Sequence, residues 1–320
     1  MTPRLTRIAC LLACLCAPAV WAQGFPAKPI RVIVPLAAGG PVDTVTRILA
    51  IGLTERLGQQ IVVDNRPGAG GSVGADLVAR APADGYTLLI ASNGTIAISP
   101  HLLKLPYDAA RDLTPIVLVG TSPQVLVVHP SLPVRSVKEL VALARARPAM
   151  INYASSGQGS TSHLASELLR VSAKIDIIHV PYKGAGPALN DLAGGHTQMM
   201  ITGVSTALPH INSARMRALG VTSARRVAVL RDVPPIADTV PGYDVTTWYG
   251  LLAPTGTPAA VIARLHQDTV RALDNPSVKA KMAAAGVDVE TASPEQFGAM
   301  IRSETDKWGR LIKATGIKAQ

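Results

Sequence analysis

Short apolar runs alternate with longer amphipathic ones along the chain, and the two periods predict different elements. Residues 30–34 are rich in Ile and Val and almost continuously apolar, which predicts a buried strand. A small-residue turn at 35–41 then leads to 43–57, where apolar residues recur at helical spacing. Strands are predicted at 61–63 and 87–91, on either side of a glycine-rich loop and a helix ending at Arg80. A second region starts near Gln124. It holds strands at 125–128, 151–154, 177–180, 199–202 and 218–222, with helices at 136–147, 160–172, up to Leu192, and 205–211. Ser136 is the expected N-cap of the first of these helices, with Glu139 completing a capping box. After a strand at 248–253 the chain is mostly helical: 258–274, 276–285 and 294–315. This alternation predicts an α/β protein with largely parallel sheet.

Three strand-to-helix junctions carry small residues and glycines, at 35–43, 155–160 and 181–187. In a parallel sheet such loops lie at the carboxyl ends of the strands, where ligands bind. The helix N-termini there offer free amides and the positive end of the dipole, so the junctions suit an anion. Within them Asp43 reads as an N-cap, the alternative being a counter-charge for a ligand ammonium. Ser155, Ser156, Ser160 and Thr161 are either turn residues or donors to a carboxylate. Tyr182 and Lys183 can line the mouth of a cleft, and Trp248 and Tyr249 are expected to pack where two domains meet.

Other chemistry fits less well. Gly70-Gly71-Ser72-Val73-Gly74 matches the G-x-S-x-G pattern of serine hydrolases, and an exported α/β hydrolase using Ser72 is the alternative function. A nucleophile elbow, however, needs a strand running straight into the serine. Here Pro67-Gly68-Ala69-Gly70 intervenes, so Ser72 is expected to cap a helix. The seven histidines include no i, i+4 pair, and no metal site is expected. Gly184-Ala185-Gly186 and Gly157-Gln158-Gly159 both lack the third glycine of a dinucleotide fingerprint. No cofactor and no catalytic residue is expected.

Composition narrows the setting. With 48% hydrophobic and 16% charged residues, the 320-residue chain has the material for about two packed domains and is not a disordered one. Arg4 and Arg7 precede an apolar run that closes at Val20-Trp21-Ala22, which reads as a secretory signal over residues 1–22, too short to span a bilayer. Cys10, Cys14 and Cys16 are the chain's 3 cysteines, so a chain cut after Ala22 has neither disulfide nor thiolate chemistry. The formal net charge is +10, but its Lys and Arg residues are dispersed and aromatics make up only 3%. That distribution suits steering of small anions better than a nucleic-acid surface.

Several blocks together resemble the Bug family, the solute-binding receptors of tripartite tricarboxylate transporters (TctC-like). They are Pro35-Leu36-Ala37-Ala38-Gly39-Gly40-Pro41-Val42-Asp43, Asn65-Arg66-Pro67-Gly68-Ala69-Gly70-Gly71, and Ala83-Asp84-Gly85-Tyr86-Thr87-Leu88. Tyr153-Ala154-Ser155-Ser156-Gly157-Gln158-Gly159-Ser160, Val180-Pro181-Tyr182-Lys183-Gly184 and Trp248-Tyr249-Gly250-Leu251 continue the likeness in order. The resemblance implies a two-domain periplasmic-binding-protein fold, the type II Venus flytrap, with the ligand cleft between domains. Domain 1 would hold residues 23–124 plus 249–320, and domain 2 residues 125–248. It implies a periplasmic receptor, not an enzyme, that closes on a small carboxylate (a di- or tricarboxylate, an aromatic acid or an amino acid). The receptor would then deliver it to inner-membrane permease subunits. The chain is expected to be a monomer that binds no nucleic acid.

The resemblance places the grip on one carboxylate in the loops 35–43 and 155–160, partly through bridging waters. The expected ligand-binding residues are Leu36, Ala38, Gly39, Gly40, Asp43, Ser92, Ser155, Ser156, Gly157, Gly159, Ser160, Thr161, Tyr182 and Gly203. Three positions depart from the family. Leu36 stands where an aromatic is common, Val42 where Thr is common, and Gly203 in a stretch that often bears a polar or acidic side chain. These departures favour a plain carboxylic acid over an amino acid.

Overall fold

The computed structural model describes residues 24–182 and 184–318; the 1–22 signal reading and Lys183 lie outside them. The first apolar run forms β1 (Ile30–Val34), followed by α1 (Pro41–Leu57), β2 (Ile61–Asn65), α2 (Ser72–Ala79) and β3 (Thr87–Ser92). β1 lies between β2 and β3 and pairs in parallel with both. A π-helical turn at Gly94–Ile98 and two short helices, α3 (Ser99–Leu102) and α4 (Ala109–Asp112), lead into β4 (Leu113–Val128).

The 16 residues of β4 join the two halves of the molecule. Residues 113–123 pair with β9 (Thr246–Pro254), whose other neighbour is β3, while 124–128 pair with β7 (Met199–Gly203) and β8 (Arg217–Val221). Only 125–128 of this strand is predicted by the sequence pattern. Pro115, Gly120 and Pro123 interrupt the rest, because proline cannot donate to a ladder and glycine weakens a strand. The strand absorbs them with register shifts between Pro115 and Val117 and between Leu118 and Gly120.

The second half runs α5 (Val137–Ala146), β5 (Asn152–Ser155), α6 (Thr161–Ala173), β6 (Ile178–Pro181), α7 (Ala185–Ala193), β7, α8 (Val204–Asn212) and β8. β5 is parallel to both β6 and β7. The strand path is β2-β1-β3-β9-β4-β7-β5-β6, with β8 beside β4. The expectation of a largely parallel sheet holds only toward the two ends. All ladders made by β4 and β9 are antiparallel, because these strands cross between halves without an intervening helix.

After β9 the chain returns to the first half as α9 (Ala259–Leu273), α10 (Pro276–Ala284) and α11 (Pro294–Thr315). α11 locks onto the crossing strand. The ring of Phe297 meets Trp248 edge-on, with centroids 5.2 Å apart at 88°, and lies where a Cβ on Gly250 would be, 2.0 Å from Phe297 Cζ. Trp248 is thus fully buried against α11. Ser136 does cap α5, accepting from Glu139 N–H, but Glu139 reaches back to Arg135 N–H, so the box closes one residue early. Among the described residues no helix is long and apolar enough to cross a membrane.

Candidate ligand-binding cleft

The carboxyl ends of β1, β3, β5 and β7 all face one cavity of about 980 Å³, within the range of small-ligand sites. Leu36, Gly39, Pro41, Val42 and Thr44 line it from the first junction, and 156–162 from the loop after β5. No charged side chain is among its described lining residues; hydroxyls, amides, glycines and a few apolar groups make the wall.

Its polarity comes largely from helix ends. Gly40 precedes α1, Gly184 precedes α7 and Gly203 precedes α8, and none of the three helices has a side-chain cap. Their first N–H groups therefore have no intrahelical acceptor. In α1 Pro41 takes the first position and carries no N–H, which leaves the amides of Val42 and Asp43 open. α6 is capped at its third amide, where Ser160 Oγ accepts from His163 N–H at 3.3 Å, so the amides of Thr161 and Ser162 remain. Four positive dipole ends around a cavity without cations make a site for negative charge.

Of the expected residues, Leu36, Gly39, Ser92, Ser156, Gly157, Gly159, Ser160, Thr161 and Gly203 line the cavity, while Ala38, Gly40, Asp43, Ser155 and Tyr182 do not. Ala38 lies on the outer surface of its turn, and Gly40 acts through its position before α1. Tyr182 is tied to Asp191 by a 2.7 Å hydrogen bond.

Asp43 is not the N-cap of α1, and it is not among the residues that line the cavity. It is the third residue of α1 and reaches back to accept from Gly39 N–H and from Arg47 Nε, both at 2.9 Å. Burial pushes its carboxyl up, but the bonds from Arg47, Gly39 and Asn65 outweigh this and hold it below the usual aspartate range. Asn65 in turn donates to Leu36 O at 3.1 Å, so the block after β2 braces the first junction.

Ser155 is fully buried, turned away from the cavity. Its Oγ lies 2.6 Å from His179 Nε2 and accepts from Gly157 N–H at 3.2 Å. Gly157 (φ +133°) and Gly159 (φ +72°) give this loop backbone shapes that side-chain-bearing residues rarely adopt.

Two groups of lining residues escaped the sequence reading. Gly94 and Thr95 belong to the π-helical turn after β3, and Ser99, at the start of α3, donates from Oγ to Gly94 O at 2.9 Å. Their signal was present, since Ser92-Asn93-Gly94-Thr95 is another run of small polar residues straight after a strand. Ser122, Gln124, Thr202, Ser205, Thr206, Thr247 and Tyr249 form the floor and far wall. Several of these sit on β4 and β9, whose crossing the local pattern does not reveal. Tyr249 is thus not only a packing residue: it reaches the cavity, and burial raises its phenol to about 12 despite a bond with Ser122.

Ser72 is not arranged as a nucleophile. It is the first residue of α2, it follows Gly71 in a left-handed conformation, and it is buried. A serine on a nucleophile elbow would follow a strand and stand exposed. Nor does any group of three or more His, Cys, Asp or Glu among the described residues stand ready to hold a metal ion.

Comparisons with known proteins agree with this geometry. The family model for tripartite tricarboxylate transporter family receptors, TctC, matches residues 45–317. A UPF0065 protein in the tcbD-tcbE intergenic region of Pseudomonas sp. (strain P51) is 42% identical over 292 residues, covering 91% of this chain and 87% of that protein. The structure of R. palustris Rpa4515 with adipate shares 36% sequence identity at a TM-score of 0.78, over 92% of this chain and 99% of that one. The periplasmic binding protein BugD shares 34% at a TM-score of 0.75, over 92% and 100%. The fold is the two-domain one of periplasmic solute-binding proteins. The chain belongs to the TctC, or Bug, family of tripartite tricarboxylate transporter receptors.

Proposed function

We propose that this receptor captures a small organic carboxylate without an ammonium group and hands it to the permease subunits of a tripartite transporter, with no chemistry performed on it. The carrying observation is the cavity itself: four helix N-termini, three of them uncapped, around a wall with no charged side chain. Amides at helix ends stabilise a carboxylate, and the hydroxyls of Ser92, Thr95, Ser122 and Thr202 can hold a second polar end. The bound adipate of the R. palustris protein supports the substrate class. In this reading Asp43, whose Oδ2 is engaged with Gly39 and Arg47 and which is not among the lining residues, does not meet the ligand.

In this reading residues 1–22 are a secretory signal and the mature chain works in the periplasm as a monomer. Residues 23–124 with 249–320 form one domain and 125–248 the other. The two close on the ligand by bending near 124 and 248. The site residues are those of the expected set that line the cavity, joined by Thr95, Ser122, Gln124, Thr202 and Tyr249.

A thermal-shift screen tests the proposal. The chain is unfolded and refolded to strip carried-over ligand, then offered di- and tricarboxylates, aromatic acids, acidic amino acids and nicotinate. Ligand at 100 times its Kd adds about 2.7 kcal/mol, a visible shift. A hit confined to carboxylates lacking an ammonium supports the reading. A response to amino acids alone, or esterase activity lost in Ser72→Ala, overturns it.

A further inference from the structure

Behind the loop that follows β5 lies a buried cluster of aromatic and titratable side chains that never touches the cavity. His163 on α6 and His179 on β6 stack face to face, with ring centroids 3.8 Å apart and planes 7° from parallel. Tyr153 on β5 extends the stack, 4.9 Å from His179 at 19°. Its hydroxyl donates to Glu167 at 2.6 Å, and Glu167 is gripped by Arg170 through Nε at 2.9 Å and Nη2 at 2.8 Å.

Each imidazole takes hold of the loop. Gly159 N–H donates to His163 Nδ1 at 3.0 Å, which fixes the His163 proton on Nε2. His179 Nε2 lies 2.6 Å from Ser155 Oγ, which in turn accepts from Gly157 N–H. The two glycines whose unusual backbone shapes the loop are thus bonded, directly or through one serine, to this pair. Residues 156–162 of the same segment line the cavity.

We propose that His163 and His179 are positioning residues of the binding site: stacked and uncharged, they hold the 155–160 turn in the shape that aims the α6 amides into the cleft. For ligand capture this rests on the carboxylate reading above; for the turn itself it stands on the bonds alone. Protonation undoes the arrangement in two ways. A proton on His163 Nδ1 would face the Gly159 N–H donor to donor, and two imidazolium rings at stacking distance repel. The groups facing the pair are Glu167 and Arg170 on α6 and Tyr153 on β5, with Asp176 acting on Arg170. Burial, and next His179, pulls His163 down to about 4, and burial lowers His179 against the attraction of Glu167. The neutral pair is therefore the resting state near neutrality.

The test compares the full chain with His163→Asn and His163→Leu. Asparagine places an acceptor oxygen close to the Nδ1 position and cannot take up a proton; leucine keeps bulk and removes the acceptor. Hydrogen exchange at the Gly159 amide is read by NMR from pH 7.5 to 3.5, and adipate is titrated in wild type and variants side by side over the same range, so that the ligand's own protonation is common to all. In the wild type, Gly159 protection and adipate affinity are expected to fall together on acidification. His163→Asn should hold Gly159 protection level across the range and lose only the affinity that the ligand's own protonation costs. His163→Leu should lose protection about tenfold at pH 7.5, the worth of one hydrogen bond, and bind adipate several-fold more weakly. Unchanged Gly159 protection in His163→Leu, or an Asn variant that titrates like the wild type, overturns the proposal. If Gly159 responds as expected while adipate fails to bind at pH 7.5, the turn's dependence on the histidines stands and the carboxylate reading is what fails.

Discussion

Asp43→Asn separates the brace that the structure gives this carboxylate from the counter-charge role that the sequence leaves open for it. In the structure its Oδ2 accepts from Gly39 N–H at 2.9 Å, and its side chain is 4% exposed. An asparagine oxygen can still accept from Gly39, but as a neutral acceptor. Charge-assisted bonds run at about 1.5–3 kcal/mol against about 1 for neutral ones, so this bond loses about 1 kcal/mol. The carboxylate also sits in the first turn of α1, where a negative charge contributes about 0.3–1 kcal/mol. Arg47 is largely exposed, and solvent screening leaves its ion pair out of the sum. The expected loss is about 1.3–2 kcal/mol, measured as a drop in urea-unfolding free energy. A modest loss of adipate affinity should accompany it, because Gly39 lines the cavity. Asp43→Ala should cost more, since it leaves the Gly39 amide without its partner. Unchanged stability in Asp43→Asn, together with a selective loss of binding for ligands bearing an ammonium, would refute the bracing role and place the carboxylate in the binding site.

Three further outcomes are expected. The stacked histidines bind protons more readily in the unfolded chain, so their contribution to stability should be full above about pH 6.5 and fall as the pH drops toward 4, the folded value of His163; a urea midpoint that falls identically in wild type and His163→Asn between pH 7 and 4 would contradict this. Gly250→Ala drives a methyl into Phe297, 2.0 Å from its Cζ, and should destabilise by about 1–3 kcal/mol in thermal or urea unfolding; relief by Phe297→Leu in the double variant would locate the clash. Saturating ligand should reduce the radius of gyration in small-angle scattering, and an unchanged radius would speak against domain closure.

The reach of the sequence follows how local each signal is. Junctions such as 35–43 and 155–160 are legible because a strand, a glycine turn and a helix start are consecutive in the chain. The helices are legible for the same reason, down to Ser136 capping α5. β4 is not, because Pro115 and Pro123 read as breaks until a long antiparallel partner is in place to accommodate them. Losing β4 hides Ser122 and Gln124, and with them the cleft floor. Ser155 and Asp43 show the converse error. Their residue types suit a ligand site, but which way a side chain turns depends on His179 and Arg47, placed by other turns of the chain. The histidine pair is invisible for that reason as well, since its members stand 16 positions apart on a helix and on the strand that follows it.

The split of the first half across the chain has a consequence for how the molecule is made. β3 must wait for β9, and the face under Gly250 must wait for Phe297 on α11, so the opening three-strand sheet is synthesised long before its remaining neighbour exists. The segment from β5 to β8, by contrast, is continuous and needs only the end of β4 to close its sheet. Folding that begins during synthesis therefore starts in the middle of the chain, with the two ends joining last. A chain that ends before β9 leaves β3 without its second neighbour, and one that loses only α11 uncovers the face under Gly250 without touching one lining residue of the cleft.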